Sequence, residues 1–279
     1  MSISQVYIVH ELARHVRFSV NPFLEGESWG WNSFASKPAG EGLAFFFDFC
    51  VELSGEPEAS TGFVVNVTEI DRQVRESVVP VFGERLRKEF RGGRHIGLSQ
   101  ISELLWSSWV KLEGQFGSAK INRLSLSLNP FRNVAVDCRD FEMVYFSEKF
   151  EFAATHKLWN DDFSAERNFE VFGKCANPAG HGHNYVLEVT VEVPAEADVF
   201  SVGVFEKAVN DELIELLDHK NLNAEVAPFE KTNPTIENIA VFAWERVAGK
   251  FGAAKLHCIT VRETDRTYCS YYGPVESGD

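Results

Sequence analysis

Apolar and polar positions alternate with a period of two in some stretches of the chain and recur at the three-to-four spacing of helices in others. Phe150, Phe152, Ala154 and His156 fall on one side of an expected strand, with Glu151, Ala153 and Thr155 on the other. A second strand is expected where Tyr185, Leu187, Val189, Val191 and Val193 alternate with Asn184, Glu188, Thr190 and Glu192, the pattern of an antiparallel sheet with one buried face. Phe205, Val209, Leu213 and Leu216 or Leu217 then recur at helical spacing over 205–217, which gives a helix with one buried stripe. Asn233-Pro234 predicts the cap and first turn of another helix, running through Trp244 to the Gly249 region. The stretches 255–263 and 267–272 read as two closing strands.

The resulting β-β-α-α-β-β order recurs in the first half. KPAGEGLAFFFDFCVELSGE at 37–56 aligns without a gap with NPAGHGHNYVLEVTVEVPAE at 177–196, an offset of 140. Trp109 followed by GQFGSAKI aligns with Trp244 followed by GKFGAAKL at an offset of 135. Two collinear matches at nearly equal offsets predict two tandem units, 1–139 and 140–279, of α+β class with antiparallel sheets.

Composition narrows the function classes. With 279 residues, 44% hydrophobic and 24% charged, the chain is expected to form one or two compact domains. No apolar run reaches 18 residues, and Glu11, Arg14 and Arg17 break the apolar stretch near the start, so no membrane helix or secretory signal is expected and a cytoplasmic location is. Five cysteines without a CxxC pair predict reduced thiols rather than a disulfide framework. A net charge of −14 excludes sequence-independent binding to nucleic acid or to anionic membranes, and any anionic substrate must then be held by local donors or a metal.

The candidate chemistry lies in the second half. His181-Gly182-His183 opens the second strand, whose two-residue period turns both imidazoles to one side. His156 ends the preceding strand on its apolar face and can complete a three-histidine site with an open fourth position, the pattern of catalytic rather than structural zinc. Gly180 and Gly182 allow close backbone approach. Cys175 lies six positions before His181 on what reads as a polar loop, where a metal and a histidine can favour its thiolate; Cys50, Cys258 and Cys269 sit in strand-like runs and read as buried apolar residues. Asp218-His219 follows the first helix, either as a hydrogen-bonded pair tuned for proton transfer or as a simple helix-end cap. Glu263 occupies an otherwise apolar strand and needs a partner, which can be an ion pair or the paired N–H donors of an amino-pyrimidinone ring.

Taken in order, FEFAATH, FGKCANPAGHGHNY, LDHKNLN, NPTIENIA and VRET resemble the 6-pyruvoyltetrahydropterin synthase and 6-carboxytetrahydropterin synthase family over most of 144–273. The resemblance implies the tunnelling fold, whose β-β-α-α-β-β units assemble into oligomeric barrels with active sites between neighbouring units. By position it implies His156, His181 and His183 as ligands of Zn2+, Cys175 as general base, Asp218 and His219 as a relay reaching in from an adjacent subunit, and Glu263 with Thr264 as the pterin anchor. The implied substrate is a pterin triphosphate, 7,8-dihydroneopterin triphosphate, from which triphosphate is eliminated. Five residues separate Cys175 from His181, as in the pyruvoyl-forming type, whereas the carboxy-forming type of queuosine biosynthesis commonly has three. Gly203 departs from the Asp or Asn that relatives often carry there.

The first half lacks this chemistry. The gapless block sets Ala35, Glu41 and Leu43 against Cys175, His181 and His183; with a gap in the preceding loop that matches RFSVNP to EFAATH, Pro22 falls against His156, and outside the block Val81 and Phe82 fall against Asp218 and His219 and Leu128 against Glu263. One catalytic unit and one degenerate copy without metal or catalytic residues are expected, in a homo-oligomer of three chains whose like units form rings. The competing expectation is a non-catalytic pterin-binding scaffold in which duplication has separated Asp218 and His219 from Cys175.

Overall fold

The structure is a computed structural model and describes residues 10–23, 43–195 and 200–274. It divides into two compact units, one holding the described residues through Tyr145 with Pro194 and Ala195, the other Phe146–Val193 and the residues from Phe200 onward. The division falls inside a strand, between Tyr145 and Phe146.

The first unit runs β1 (His10–Val20), β2 (Phe45–Gly55), a long helix, α3 (Leu98–Leu112), β3 (Lys120–Ser127) and β4 (Arg132–Asp137). Its strands are ordered β1-β2-β3-β4, each antiparallel to the next. The long helix is α1 (Val67–Gln73) and α2 (Val79–Arg91), joined through a π turn at Val74–Val78. That turn has a sequence cause. Ile70, Val74, Val78, Phe82 and Leu86 are all buried and recur every four residues, a spacing that drifts roughly 40° per step on a regular α-helix of 3.6 residues per turn. One extra residue in a turn brings the stripe back over the sheet, where Phe82 meets Phe18, Phe47 and Phe49.

The second unit contains β5 (Asp140–His156), α4 (Ala165–Phe172), β6 (His181–Pro194), α5 (Val202–Val209), α6 (Glu215–Leu217), β7 (Lys220–Asn221), α7 (Leu222–Glu225), α8 (Ile236–Val247), β8 (Lys255–Thr264) and β9 (Thr267–Tyr271). The order is β5-β6-β8-β9, with β7 parallel to the end of β5. Ser147 meets Thr190 at one end of the β5/β6 pair and His156 meets His181 at the other, so the two strands run antiparallel. The expected alternation of β6 is present, Tyr185, Leu187, Val189, Val191 and Val193 all being buried. Between α5 and α6 a second π turn, Asn210–Ile214, keeps Phe205, Val209, Leu213 and Leu217 in one buried stripe; Leu217, not Leu216, completes it.

Two local expectations are corrected. The helix expected from Asn233 begins with Thr235 as its cap, because the Thr235 side chain accepts the Asn238 amide, and Asn233 and Pro234 are instead held in the approach to it. Helix α4, capped by Ser164, stands between β5 and β6 where only loop was expected, and the fully buried Asn168 ties it down through bonds to Asn160, Phe163 and Ser164.

The same irregularities occur in both units. The π turns begin at Val74 and Asn210. In each unit a β-bulge adds one residue to the strand paired with the long second strand, Asn122 between the partners of Glu52 and Leu53, and His257 between those of Thr190 and Val191. Gly114 and Gly117 take positive φ angles of 74° and 62°, and Gly249 and Gly252 take 76° and 64°.

Candidate metal centre and active site

The end of β5 and the start of β6 bring His156, His181 and His183 together, their ligand nitrogens lying within 4.8 Å of one another. Two glycines make this approach possible. Gly180 has a φ of +69°, and a Cβ on it would lie 2.9 Å from the His156 carbonyl oxygen. A Cβ on Gly182 would lie 3.3 Å from Thr155 Cγ2.

His156 is the anchored member. It is buried, and its Nδ1–H donates to the Pro234 carbonyl at 2.9 Å, which leaves the Nε2 lone pair facing the cluster. Nε2 lies 3.2 Å from His181 Nε2, and two nitrogens each roughly 2.0–2.1 Å from a tetrahedral ion lie about 3.3 Å apart. His183 Nε2 is buried without a hydrogen-bond partner, as is His181 Nδ1. A nitrogen-lined cluster with an unpaired inward nitrogen suits a borderline-soft divalent cation better than a closed hydrogen-bond network. Burial holds the imidazoles of His156 and His183 below the ordinary histidine range, opposed at His183 by Glu263, and so favours the neutral form that ligates.

Cys175 sits on a 3₁₀ turn, Gly173–Ala176, with Sγ 3.7 Å from His181 Nε2. Its carbonyl accepts the Leu158 amide, so the turn is tied to the chain just beyond β5. Burial and then Glu263 push the thiol above its ordinary value. Glu263, near the end of β8, places Oε1 3.3 Å from His183 Nε2 and 3.6 Å from His156 Nε2. Cys175, Glu263 and the three histidines therefore form one cluster.

Asp218 and His219 bond to β5 and to each other. Asp218 Oδ1 accepts the Ala153 amide at 2.8 Å, the His219 amide donates to the Ala153 carbonyl, and His219 Nδ1 bonds Asp218 Oδ2 at 2.8 Å. His219 takes a φ of 57°, the one positive value at a non-glycine among the described residues, and its side chain is 83% exposed. The Ala153 amide and then His219 hold the Asp218 carboxyl below the usual carboxylate range. Thr264 is exposed at the β8/β9 turn, where its hydroxyl accepts the Arg266 amide. Gly203 lies in the first turn of α5.

Sequence patterns pointed to the three histidines but not to the residues that support them. Tyr185, two residues after His183, belongs to the apolar alternation of β6, yet its hydroxyl lies 3.4 Å from His156 Nδ1. Asn223 accepts the Lys157 amide and donates to the Lys157 carbonyl, and Asn233 accepts the Trp159 amide. The local signal was asparagine in loops rather than on faces.

In the first unit, Ala35 and Glu41 lie outside the described residues, Leu43 is 96% exposed, Pro22 is buried in a turn and Phe82 is in the core. Among the described residues the three-histidine group is the one cluster able to hold a metal. No helix among them is long and apolar enough to cross a membrane.

Residues 145–274 match the family described as 6-pyruvoyl tetrahydropterin synthase. The human 6-pyruvoyl tetrahydrobiopterin synthase is 38% identical over 130 residues, 46% of this chain and 90% of that protein. The corresponding protein of Drosophila melanogaster is 35% identical over 136 residues, 47% of this chain and 81% of its own. The solved 6-pyruvoyl tetrahydropterin synthase of Caenorhabditis elegans aligns with 47% of this chain and 96% of its own at 30% identity and a TM-score of 0.43. With the cluster of His156, Cys175, His181, His183 and Glu263 inside the matched segment, this chain belongs to the 6-pyruvoyl tetrahydropterin synthase family.

Proposed function

We propose that the second unit binds Zn2+ through His156, His181 and His183 and converts 7,8-dihydroneopterin triphosphate to 6-pyruvoyltetrahydropterin with elimination of triphosphate, as a carbon–oxygen lyase. The observation that carries this reading is the convergence of three imidazoles, one thiol and one carboxylate in a segment matched to the family. Bound there, Zn2+ supplies Lewis-acid polarisation of the substrate's side-chain oxygens and a positive charge that favours the Cys175 thiolate. Cys175, at the rim of the histidines, takes the proton from the acidified side-chain carbon. Glu263 accepts paired N–H donors from the pterin ring, with Thr264 beside it.

Asp218 and His219 complete the proton relay on the active site of a neighbouring chain. Support comes from the exposure of His219 and from hydrogen bonds of the pair that run to β5 and to each other rather than to Cys175. The assembly proposed is a trimer with like units in rings, and light scattering inconsistent with a multiple of three chains would count against it. The first unit is a degenerate second copy of the tunnelling-fold unit; the shared π turns, bulges and left-handed glycines support this.

The deciding assay incubates zinc-loaded protein with 7,8-dihydroneopterin triphosphate and identifies products by mass. Release of triphosphate with the pyruvoyl product is expected, and the carboxy product would redirect the assignment to queuosine biosynthesis. No triphosphate release would leave the non-catalytic pterin-binding scaffold. Cys175→Ala should lower turnover by ~10²–10⁴-fold, the usual worth of a general acid or base, with zinc content unchanged.

A further inference from the structure

We infer that Tyr185 is a positioning residue for the metal site: its phenol and the Pro234 carbonyl together hold the His156 ring with Nε2 turned toward His181 and His183. The inference rests on the metal reading above. Tyr185 is fully buried, so it cannot touch a substrate and acts only through the groups around it. Its ring stacks on Phe152 at 4.9 Å and 14°, and Phe152 precedes His156 on the same face of β5. Stacking fixes the ring plane, and the two-residue step from His183 fixes the backbone, so the hydroxyl has little freedom in where it lies.

A phenylalanine would satisfy the apolar alternation of β6 and the stack on Phe152 equally well. A hydroxyl buried there costs free energy unless it is bonded, and among the described residues its hydrogen-bond partner is His156 Nδ1, at 3.4 Å. The same nitrogen donates to Pro234 O at 2.9 Å. An imidazole nitrogen carries one hydrogen, so the Nδ1–H points between two oxygens, the carbonyl being the nearer and the phenol the second acceptor. Both oxygens favour the Nδ1–H tautomer, which is the one that leaves Nε2 free to ligate. The Tyr185 ring also stands edge-on to His156 at 6.2 Å and 87° and packs against His183 at 5.6 Å and 60°, so one side chain restrains two of the three ligands.

Tyr185→Phe removes the oxygen and keeps the ring. Zn2+ affinity, measured on the full chain by competition with a chromogenic chelator, should fall by roughly 10–100-fold, the usual cost of removing an outer partner of a ligating histidine. The visible absorption of the Co2+-loaded chain should shift, and with Zn2+ saturating, KM should stay within about twofold of the parent because the residue does not meet substrate. Unchanged affinity and an unchanged Co2+ spectrum in a folded Tyr185→Phe chain would overturn the inference. A parent chain with no measurable Zn2+ affinity would overturn the metal reading first. Should Tyr185→Phe not fold, 3-fluorotyrosine at position 185 keeps the shape and alters the hydroxyl's hydrogen bonding; Co2+ bands that do not move would then count against the role.

Discussion

Both units run strand, strand, long helix, helix, strand, strand, with α4, β7 and α7 added in the second. Both share a π turn in the long helix, a bulge in the strand that pairs with the long second strand and a pair of left-handed glycines. They differ in what stands where the second unit has its site. In the first unit a buried Pro22 and an exposed Leu43 align with His156 and His183, whereas the second unit gathers His156, His181, His183, Cys175 and Glu263. The π turn occurs with and without a three-histidine cluster, because it follows from the spacing of buried residues, whereas the histidines serve no packing period. The scaffold and the chemistry are therefore separable constraints on one chain.

Zinc stoichiometry is the sharpest way to break that contrast. One Zn2+ per chain is expected by metal analysis, falling to near zero in His183→Ala, and two per chain would show that the first unit is not metal-free. Next in size, Phe82→Ala should destabilise the first unit by about 3–5 kcal/mol, as for other large-to-small core changes, with zinc content still near one per chain. Chemical denaturation followed alongside zinc release reads both; zinc lost in step with the first unit would show that the scaffold and the site are not separable.

A smaller effect separates two kinds of glycine. Gly180→Ala should cost the left-handed backbone penalty of roughly 1–2 kcal/mol and also displace His156, since its Cβ would meet the His156 carbonyl at 2.9 Å, so zinc affinity falls too. Gly114→Ala in the first unit has a φ of +74° but nothing within 4 Å of its Cβ, and should show the backbone penalty alone. Thermal melts with and without Zn2+ distinguish them. Smallest is the pH dependence of Asp218, whose pKa is depressed in the folded chain. A depressed carboxyl stabilises above its unfolded pKa and loses that contribution as pH falls through the folded value. The melting temperatures of the parent and Asp218→Asn should therefore differ at neutral pH and converge in acid, whereas a constant gap would remove Asp218 from the account.

Much of this was legible in sequence because it is local. The period of β6, the buried stripe of α5 and α6, and the HxH spacing each follow from residues two to four apart. Helix α4 was missed because eight residues with one buried side chain carry no apolar stripe to read. The start of α8 was misplaced because Asn233-Pro234 satisfies the local rules for a cap, while the folded chain uses Asn233 to hold Trp159 and Pro234 to hold His156.

By itself the sequence determined most of the strands and helices and the three histidines that come together, since side-chain period and residue chemistry are properties of short segments. Only the tertiary structure decided which nitrogen of His156 faces the cluster, because the carbonyl that fixes its tautomer lies 78 residues away in the chain. It likewise turned Tyr185 from one more apolar position of a strand into a neighbour of that ring, and left His219 exposed on a left-handed residue. Such contacts depend on where backbone oxygens and ring edges arrive after folding, and no periodicity along the chain encodes that.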